Sequence, residues 1–229
     1  RRKIAPAGDP KHTVKRGENL VVLGKSGTGK SVIIKCIVKL IEPDGGEIHV
    51  MGKNMGNLDE DALLEARKKI GFLFQSAALY DSMSVRQNLE FPLRNARKKP
   101  ARGERDELIK EALASVALEG SIDKMPSELS GGMRKRLGLA RTLILKPAIM
   151  LYDEPTTGLD AITSKEISQL ILEVQAKQKT SSIIITHDME CAKLTANRIA
   201  VLKDGAFVEE GTYEELRKSK DPWVRSFFG

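Results

Sequence analysis

Short runs of consecutive apolar residues alternate along this chain with longer stretches whose apolar positions recur every three or four residues. The runs Asn19–Leu23, Glu47–Val50, Ile70–Phe74, Ala148–Tyr152, Ser181–Thr186 and Arg198–Leu202 are rich in Val and Ile and read as strands. Several are continuously apolar, as parallel strands covered on both faces are. The periodic stretches predict helices starting near Lys30, Asp61, Ser84, Glu104, Gly132, Ala161 and Thr212. Alternation of this kind predicts an α/β fold around a mostly parallel sheet. The interval from Ser76 to Lys146 breaks the rhythm: it holds no convincing strand, and Leu108, Ile109, Ala112, Leu113 and Val116 mark one face of a helix. It is expected to be a helical subdomain (76–146) inserted into a single domain, with 1–75 and 147–229 forming the core.

Composition narrows the class. With 229 residues, 30% charged and 41% hydrophobic, the chain can bury a core and is neither low-complexity nor a disulfide miniprotein. Its longest apolar runs fall far short of the roughly 18 residues of a membrane helix. The net charge of +7 permits anionic partners without identifying one. Aromatics, at 4%, are too few for a platform that stacks single-stranded nucleic acid. The basic run Arg94, Arg97, Lys98, Lys99, Arg102 and Arg105 reads as a solvated face. Cys36 and Cys191 are not spaced as a metal pair and are expected to be reduced and buried. Neither an initial Met nor a signal-peptide pattern opens the chain, from which a trimmed N-terminus and a cytosolic setting are expected.

Two motifs carry chemistry. Gly24-Lys25-Ser26-Gly27-Thr28-Gly29-Lys30-Ser31 fits GxxxxGK[ST] and lies between an apolar strand and a helix. Glycines let successive N–H groups turn toward phosphate oxygens, and the helix adds its positive amino end. Lys30 should reach the β- and γ-phosphates, and Ser31 should ligate magnesium. Downstream, Ile149-Met150-Leu151-Tyr152 is an apolar strand ending in Asp153 and Glu154. Asp153 can hold Mg2+ through water, and Glu154 is placed to orient or deprotonate an attacking water. The plain alternatives, a glycine-rich turn and a solvated strand end, are each weakened by the presence of the other motif.

Between these motifs stands Leu129-Ser130-Gly131-Gly132-Met133, and here the chain resembles the ATP-binding cassette (ABC) ATPases. Gln75 corresponds to the family's Q-loop glutamine, Ser130-Gly131-Gly132 to its signature, Gly158-Leu159-Asp160 to its D-loop and His187 to its switch histidine. The resemblance spans about residues 14 to 229. It implies ATP and Mg2+, with Glu154, His187 and Gln75 in catalysis and Ser31, Asp153 and Gln75 around the metal. Gly24–Ser31 would hold ATP, and Ser130, Gly131, Gly132 and Asp160 would contact it from a second copy packed head to tail. Taken alone, His187 also reads as a structural histidine; its place after a buried strand and before Asp188 favours the site. His12 and His49 have no such context.

A narrower resemblance runs through Phe72-Leu73-Phe74-Gln75-Ser76-Ala77-Ala78-Leu79-Tyr80-Asp81-Ser82-Met83-Ser84-Val85 and Asn88–Leu93, with Met133 and Asp221–Phe227. This pattern is similar to the Mla/MCE phospholipid-transport ATPases. It implies a homodimer on the cytoplasmic face of the inner membrane, beneath permease subunits, with an MCE-domain subunit and a small regulatory subunit and no nucleic acid. Part of the segment 76–93, with Tyr80 and Met83 foremost, is expected to form a groove for a permease helix. ABC ATPases usually carry strands and an adenine-stacking aromatic ahead of the phosphate loop, whereas none of the 23 residues before Gly24 is Phe, Tyr or Trp. The antiparallel lobe is therefore expected to be shortened or incomplete. Trp223, Phe227 and Phe228 share a helical face that either packs locally or docks a partner. Two rivals remain open at this point: a cassette acting on nucleic acid, or on another transport substrate, and a regulatory cassette that binds ATP without hydrolysing it. The presence of both Glu154 and His187 argues against the second.

Overall fold

The computed structural model describes residues 12–96 and 99–228. In chain order it contains β1 (Asn19–Leu23), α1 (Lys30–Ile37), β2 (His49–Val50), β3 (Lys53–Asn54), α2 (Glu60–Arg67) and β4 (Ile70–Leu73). Three helices follow: α3 (Val85–Arg94), α4 (Arg102–Ala114) and α5 (Gly131–Leu143). The chain then returns through β5 (Ile149–Asp153), α6 (Ala161–Gln178), β6 (Ser181–Thr186), α7 (Met189–Thr195), β7 (Arg198–Lys203) and β8 (Ala206–Gly211). Two short helices, α8 (Tyr213–Leu216) and α9 (Pro222–Arg225), close it.

Six strands form one sheet in the order β4-β5-β6-β1-β7-β8, parallel except for the antiparallel β8. Strand alternation divides the apolar side chains between two layers. Val22, Leu151, Ile185 and Leu202 pack with Ile34 of α1 and Met55, with Leu63 of α2 at the margin. Val21, Leu73, Met150, Tyr152, Ile184 and Val201 pack on the opposite face with Leu89, Ile109, Leu137, Ile171 and Cys191, contributed by α3 to α7. Each such side chain, fully buried, contributes roughly 1.5–3 kcal/mol, so both faces of the sheet are committed. The α/β architecture around a mostly parallel sheet, with its helical insert, is the one the apolar pattern predicts; the small antiparallel β2–β3 hairpin is not part of that pattern.

The helical stretch occupies the crossover between the neighbouring strands β4 and β5, whose parallel register aligns Ile70 with Ile149. Its helix starts are written in the sequence: Ser84 caps α3 in a reciprocal box with Gln87, and Ser130 accepts from the Met133 N–H at the head of α5.

Several details differ from the sequence reading. The strand expected over Glu47–Val50 shrinks to His49–Val50 paired with β3, and β8 and α7 were not anticipated. Cys191 is buried, but Cys36 is only half-buried, because α1 presents that face to a small cavity also lined by Lys39, Ile48 and Met55. In the basic run, Arg94 reaches Glu90 at 2.7 Å; Arg97 and Lys98 lie outside the described residues. Residues 12–18 carry no strand, and the remainder of the expected N-terminal lobe falls on residues 1–11, which are not described. Trp223 and Phe227 meet edge to face at 4.8 Å and Phe228 meets Tyr213 at 5.3 Å, the local packing alternative for that face. Among the described residues, no helix is long and apolar enough to cross a membrane.

Candidate functional site

The site is built where β1, β5 and β6 end. After β1 the chain turns at Gly24, where a side chain is excluded: a Cβ would lie 2.6 Å from the Leu202 carbonyl of β7. The loop then enters α1 through Gly29, which offers no side-chain cap, so the helix's first N–H groups face the loop's concavity. Lys30 is only 5% exposed. Its ammonium donates to the carbonyls of Gly24 (2.7 Å) and Lys25 (2.9 Å) and lies 3.8 Å from Glu154 Oε1. Burial pushes its pKa below the ordinary lysine value, against the pull of Glu154 and Asp153. Ser31 Oγ donates to Asp153 Oδ1 at 2.6 Å, tying α1 to the end of β5.

Glu154 follows directly, with a left-handed backbone at φ 49°. Its N–H donates to Ile185 O at 2.9 Å, so the turn is anchored on β6. Its carboxylate Oε2 accepts from Thr157 Oγ1 at 3.1 Å and lies 2.8 Å from Nδ1 of His187. A carboxylate accepts, so the ring nitrogen facing it carries the proton. Behind this pair, Thr156 donates to Asp188 at 2.8 Å, and Asp188 caps α7 through the N–H groups of Glu190 and Cys191. The turns after β5 and β6 are thus cross-linked twice.

Gln75 lies just beyond β4, exposed, and lines an open cleft of about 480 Å³ with Asp153, Thr157, Lys35, Phe74 and Ser76. Ser130, Gly131, Gly132 and Asp160 form a separate group. Gly132 is pressed on α6, where a Cβ would meet Thr163 at 2.5 Å, and Gly131 lies beside Leu159. Asp160 caps α6 by accepting from the N–H (2.9 Å) and hydroxyl (2.7 Å) of Thr163, bonds that hold its pKa below the usual carboxylate value. Among the described residues, none of the hydrogen bonds of this group reaches the Gly24–Ser31 loop. The sequence-based candidates therefore divide into Lys30, Ser31, Asp153, Glu154 and His187 in one cluster, Gln75 on the cleft wall, and the signature and Asp160 together elsewhere. Lys135 and Thr157, both in contact with Glu154, carried no motif and were not singled out.

The donor set suits a hard cation only in company. Ser31 Oγ and Asp153 Oδ1 are adjacent oxygens, with Gln75 on the same cleft, and magnesium takes one or two such groups plus phosphate oxygens and waters. Among the described residues, no group of three or more His, Cys, Asp or Glu could hold an ion alone.

Comparison with known proteins agrees with this geometry. A family model described as "ABC transporter" matches residues 8–157. The "probable ribonucleotide transport ATP-binding protein mkl" of Mycobacterium tuberculosis is 41% identical over 94% of this chain, which covers 60% of that protein. "Protein trigalactosyldiacylglycerol 3, chloroplastic" of Arabidopsis thaliana is 39% identical over 93% of the chain and 66% of its own length. The "methionine import ATP-binding protein MetN" of Brucella abortus is 40% identical over 87% and 53%. The chain thus spans about 53–66% of the length of these relatives. Among solved structures, the dimeric cassette MJ0796 superposes with a TM-score of 0.81 at 34% identity, covering 88% of both chains. The same protein in a post-hydrolysis state bound to ADP and Pi gives 0.80.

Proposed function

Because this chain belongs to the ABC transporter family, as an ATP-binding subunit, we propose that it hydrolyses ATP and delivers the work to a membrane permease. The carrying observation is the convergence of Lys30, Ser31, Asp153, Glu154 and His187 at the ends of β1, β5 and β6. On this reading the Gly24–Ser31 backbone takes the phosphates, and Lys30 leaves its loop carbonyls to neutralise them. Glu154 accepts a proton from the water that attacks the γ-phosphorus, while the bond to the β–γ bridging oxygen breaks and ADP and phosphate leave. His187 holds the carboxylate in line through Nδ1. Magnesium, held by Ser31 and Asp153 with Gln75 nearby, would offset charge on the phosphate oxygens.

The separation of Ser130–Gly132 and Asp160 from the loop supports a head-to-tail homodimer, in which each signature completes the other copy's site. The whole chain is read as one ATPase domain, with 76–146 as its helical part. The permease docks on the surface beside Gln75, where Tyr80 is 41% exposed and its ring lies 4.7 Å from that of Phe91, under the Arg141 guanidinium. On this reading the protein works peripherally, on the cytoplasmic face of the inner membrane.

The relatives' names divide: one specifies ribonucleotide transport, one methionine import, and one contains the name of a lipid, trigalactosyldiacylglycerol. We favour a phospholipid, from the run Phe72–Leu93 and the likeness to the trigalactosyldiacylglycerol 3 protein, with an MCE-domain subunit and a small regulatory subunit as further partners. The test is Glu154→Gln in the full chain, alone and with its permease. Turnover should fall by roughly 10²–10⁴, the range for losing a general base, with ATP binding retained and a dimer captured in sedimentation. Unchanged turnover would overturn the assignment of this carboxylate as the proton acceptor, and a wild-type complex without turnover would overturn the ATPase reading. Transfer of labelled phospholipid by the wild-type complex tests the substrate, and transfer of methionine or a ribonucleotide instead would replace it.

A further inference from the structure

Helix α5 buries a charge that no motif explains. Lys135 is 6% exposed, and its ammonium donates to the backbone carbonyls of Gln75 and, at 3.3 Å, of Glu154. A buried ammonium is costly unless fully hydrogen-bonded. Here its bonds run to main-chain carbonyls of two distant turns, so an ordinary ion pair does not account for it. Both turns hold L-residues in the left-handed region: Glu154 at φ 49°, and Ala77 and Ala78, just after Gln75, at φ 61° and 47°. Such conformations persist only where the surroundings over-determine them. The same helix supplies further restraint on the first turn. Arg141 donates to Ala77 O at 3.1 Å, and Gly138 lies so close that a Cβ there would be 2.7 Å from that of Ala77.

We infer that Lys135 is a positioning residue, which clamps the Gln75 turn and the Glu154 turn to the helix that starts at the signature. The direction of the Glu154 side chain follows from its left-handed backbone. Relaxing that residue to an extended or right-handed state would swing the carboxylate off His187 and away from Lys30. One ammonium therefore sets where the proton acceptor points, and it does so from an element whose first turn belongs to the signature. This rests on the ATPase reading, but its consequences can be measured apart from turnover.

The experiment compares wild type, Lys135→Met, which keeps the stem and removes the donors, and Lys135→Arg, which restores a cation with several donors. Amide exchange is measured on each full chain. In Lys135→Met the Ala77 and Glu154 N–H groups, which donate to Phe74 O and Ile185 O, should exchange roughly tenfold faster or more, as the loss of one charge-assisted hydrogen bond implies. The two should rise together, with β5 and β6 amides unchanged. The kcat for ATP should fall by about 10–100-fold, the scale of a misdirected catalytic group, with KM within about threefold. Lys135→Arg should recover most of both effects. Faster exchange at only one turn, a uniform rise along α5 and β5, or an unchanged kcat in an active protein would each overturn the inference. If Lys135→Met does not fold, Lys135→Gln, which keeps an amide donor, should fall between wild type and that loss, and wild-type behaviour would refute the clamp. A wild-type chain without ATPase activity would refute the function proposed above while leaving the exchange result to decide the clamp.

Discussion

Two buried lysines approach the Asp153–Glu154 turn from opposite sides, one from the phosphate loop and one from the signature helix. Burial lowers the pKa of both, and in both cases Glu154 and Asp153 oppose the shift. Their partners differ in kind. Lys30 donates to carbonyls five and six residues away, inside its own loop, and faces the Glu154 side chain. Lys135 bonds across 60 and 19 residues and touches only main chain. An ammonium resting on the carbonyls of its own loop can exchange them for phosphate oxygens. One that joins two separate turns cannot leave without releasing both. Equal charge and equal burial thus serve recognition in one region and alignment in the other.

The largest effect should come from the loop. Lys30→Met is expected to lower kcat/KM for ATP by about 10²–10³, the range for losing one preorganised charge on the reacting group, and to weaken nucleotide binding in a direct titration. Lys30→Arg should not rescue it, because a planar fork cannot occupy a pocket shaped for a compact ammonium. The contrast with Lys135→Arg is the point of the comparison. Equal rescue at the two positions, measured in one assay, would erase the distinction.

What was legible in the sequence follows the same division between local and distant. Gly24–Ser31 and Asp153–Glu154 are contiguous, each next to the strand that places it, so spacing alone identifies them. The sheet strands were readable because parallel strands are apolar on both faces. Strand β8 was missed although Asp204-Gly205, with Asp204 at φ 50°, is a strong hairpin signal; its run Ala206–Gly211 is polar at Glu209 and Glu210 because one edge faces solvent. The contact of His187 with Glu154 was not written in either residue's neighbours. Lys135 was invisible for a stronger reason. Within α5 it is one basic residue among Arg134, Arg136 and Arg141, and only the packing of α5 on the Gln75 turn selects it for burial.

A smaller effect is expected at Gly138, the closest approach between α5 and that turn. A Cβ there would meet Ala77 Cβ at 2.7 Å and Leu73 Cδ1 at 3.1 Å. Gly138→Ala should destabilise by about 1–3 kcal/mol, the usual cost of overpacking, lowering Tm by roughly 2–4 °C per kcal/mol at this chain length. It should also loosen the Gln75 turn in amide exchange without disturbing the Glu154 turn, which Lys135 still holds. Loosening of both turns would mean that helix packing, not the ammonium, joins them.

The smallest effect has the opposite sign. Tyr152 precedes Asp153 on β5, is fully buried on the α5 side of the sheet, and its hydroxyl has no hydrogen-bond partner among the described residues. Burial pushes its pKa well up, so the hydroxyl stays neutral and can offer α5 at most a weak bond. If Lys135 alone secures this end of β5 from the helix side, the hydroxyl contributes only its desolvation cost. Tyr152→Phe should then raise stability by about 1 kcal/mol or less, since an unpaired buried hydroxyl costs about that or more, and should leave kcat unchanged. Denaturant midpoints at constant m-value measure the first and steady-state turnover the second. A loss of stability would reveal a polar partner for the hydroxyl, such as an enclosed water. A fall in kcat with ATP binding intact would show that the strand end is aligned through a second polar contact, and that the division of labour between the two lysines is drawn too sharply.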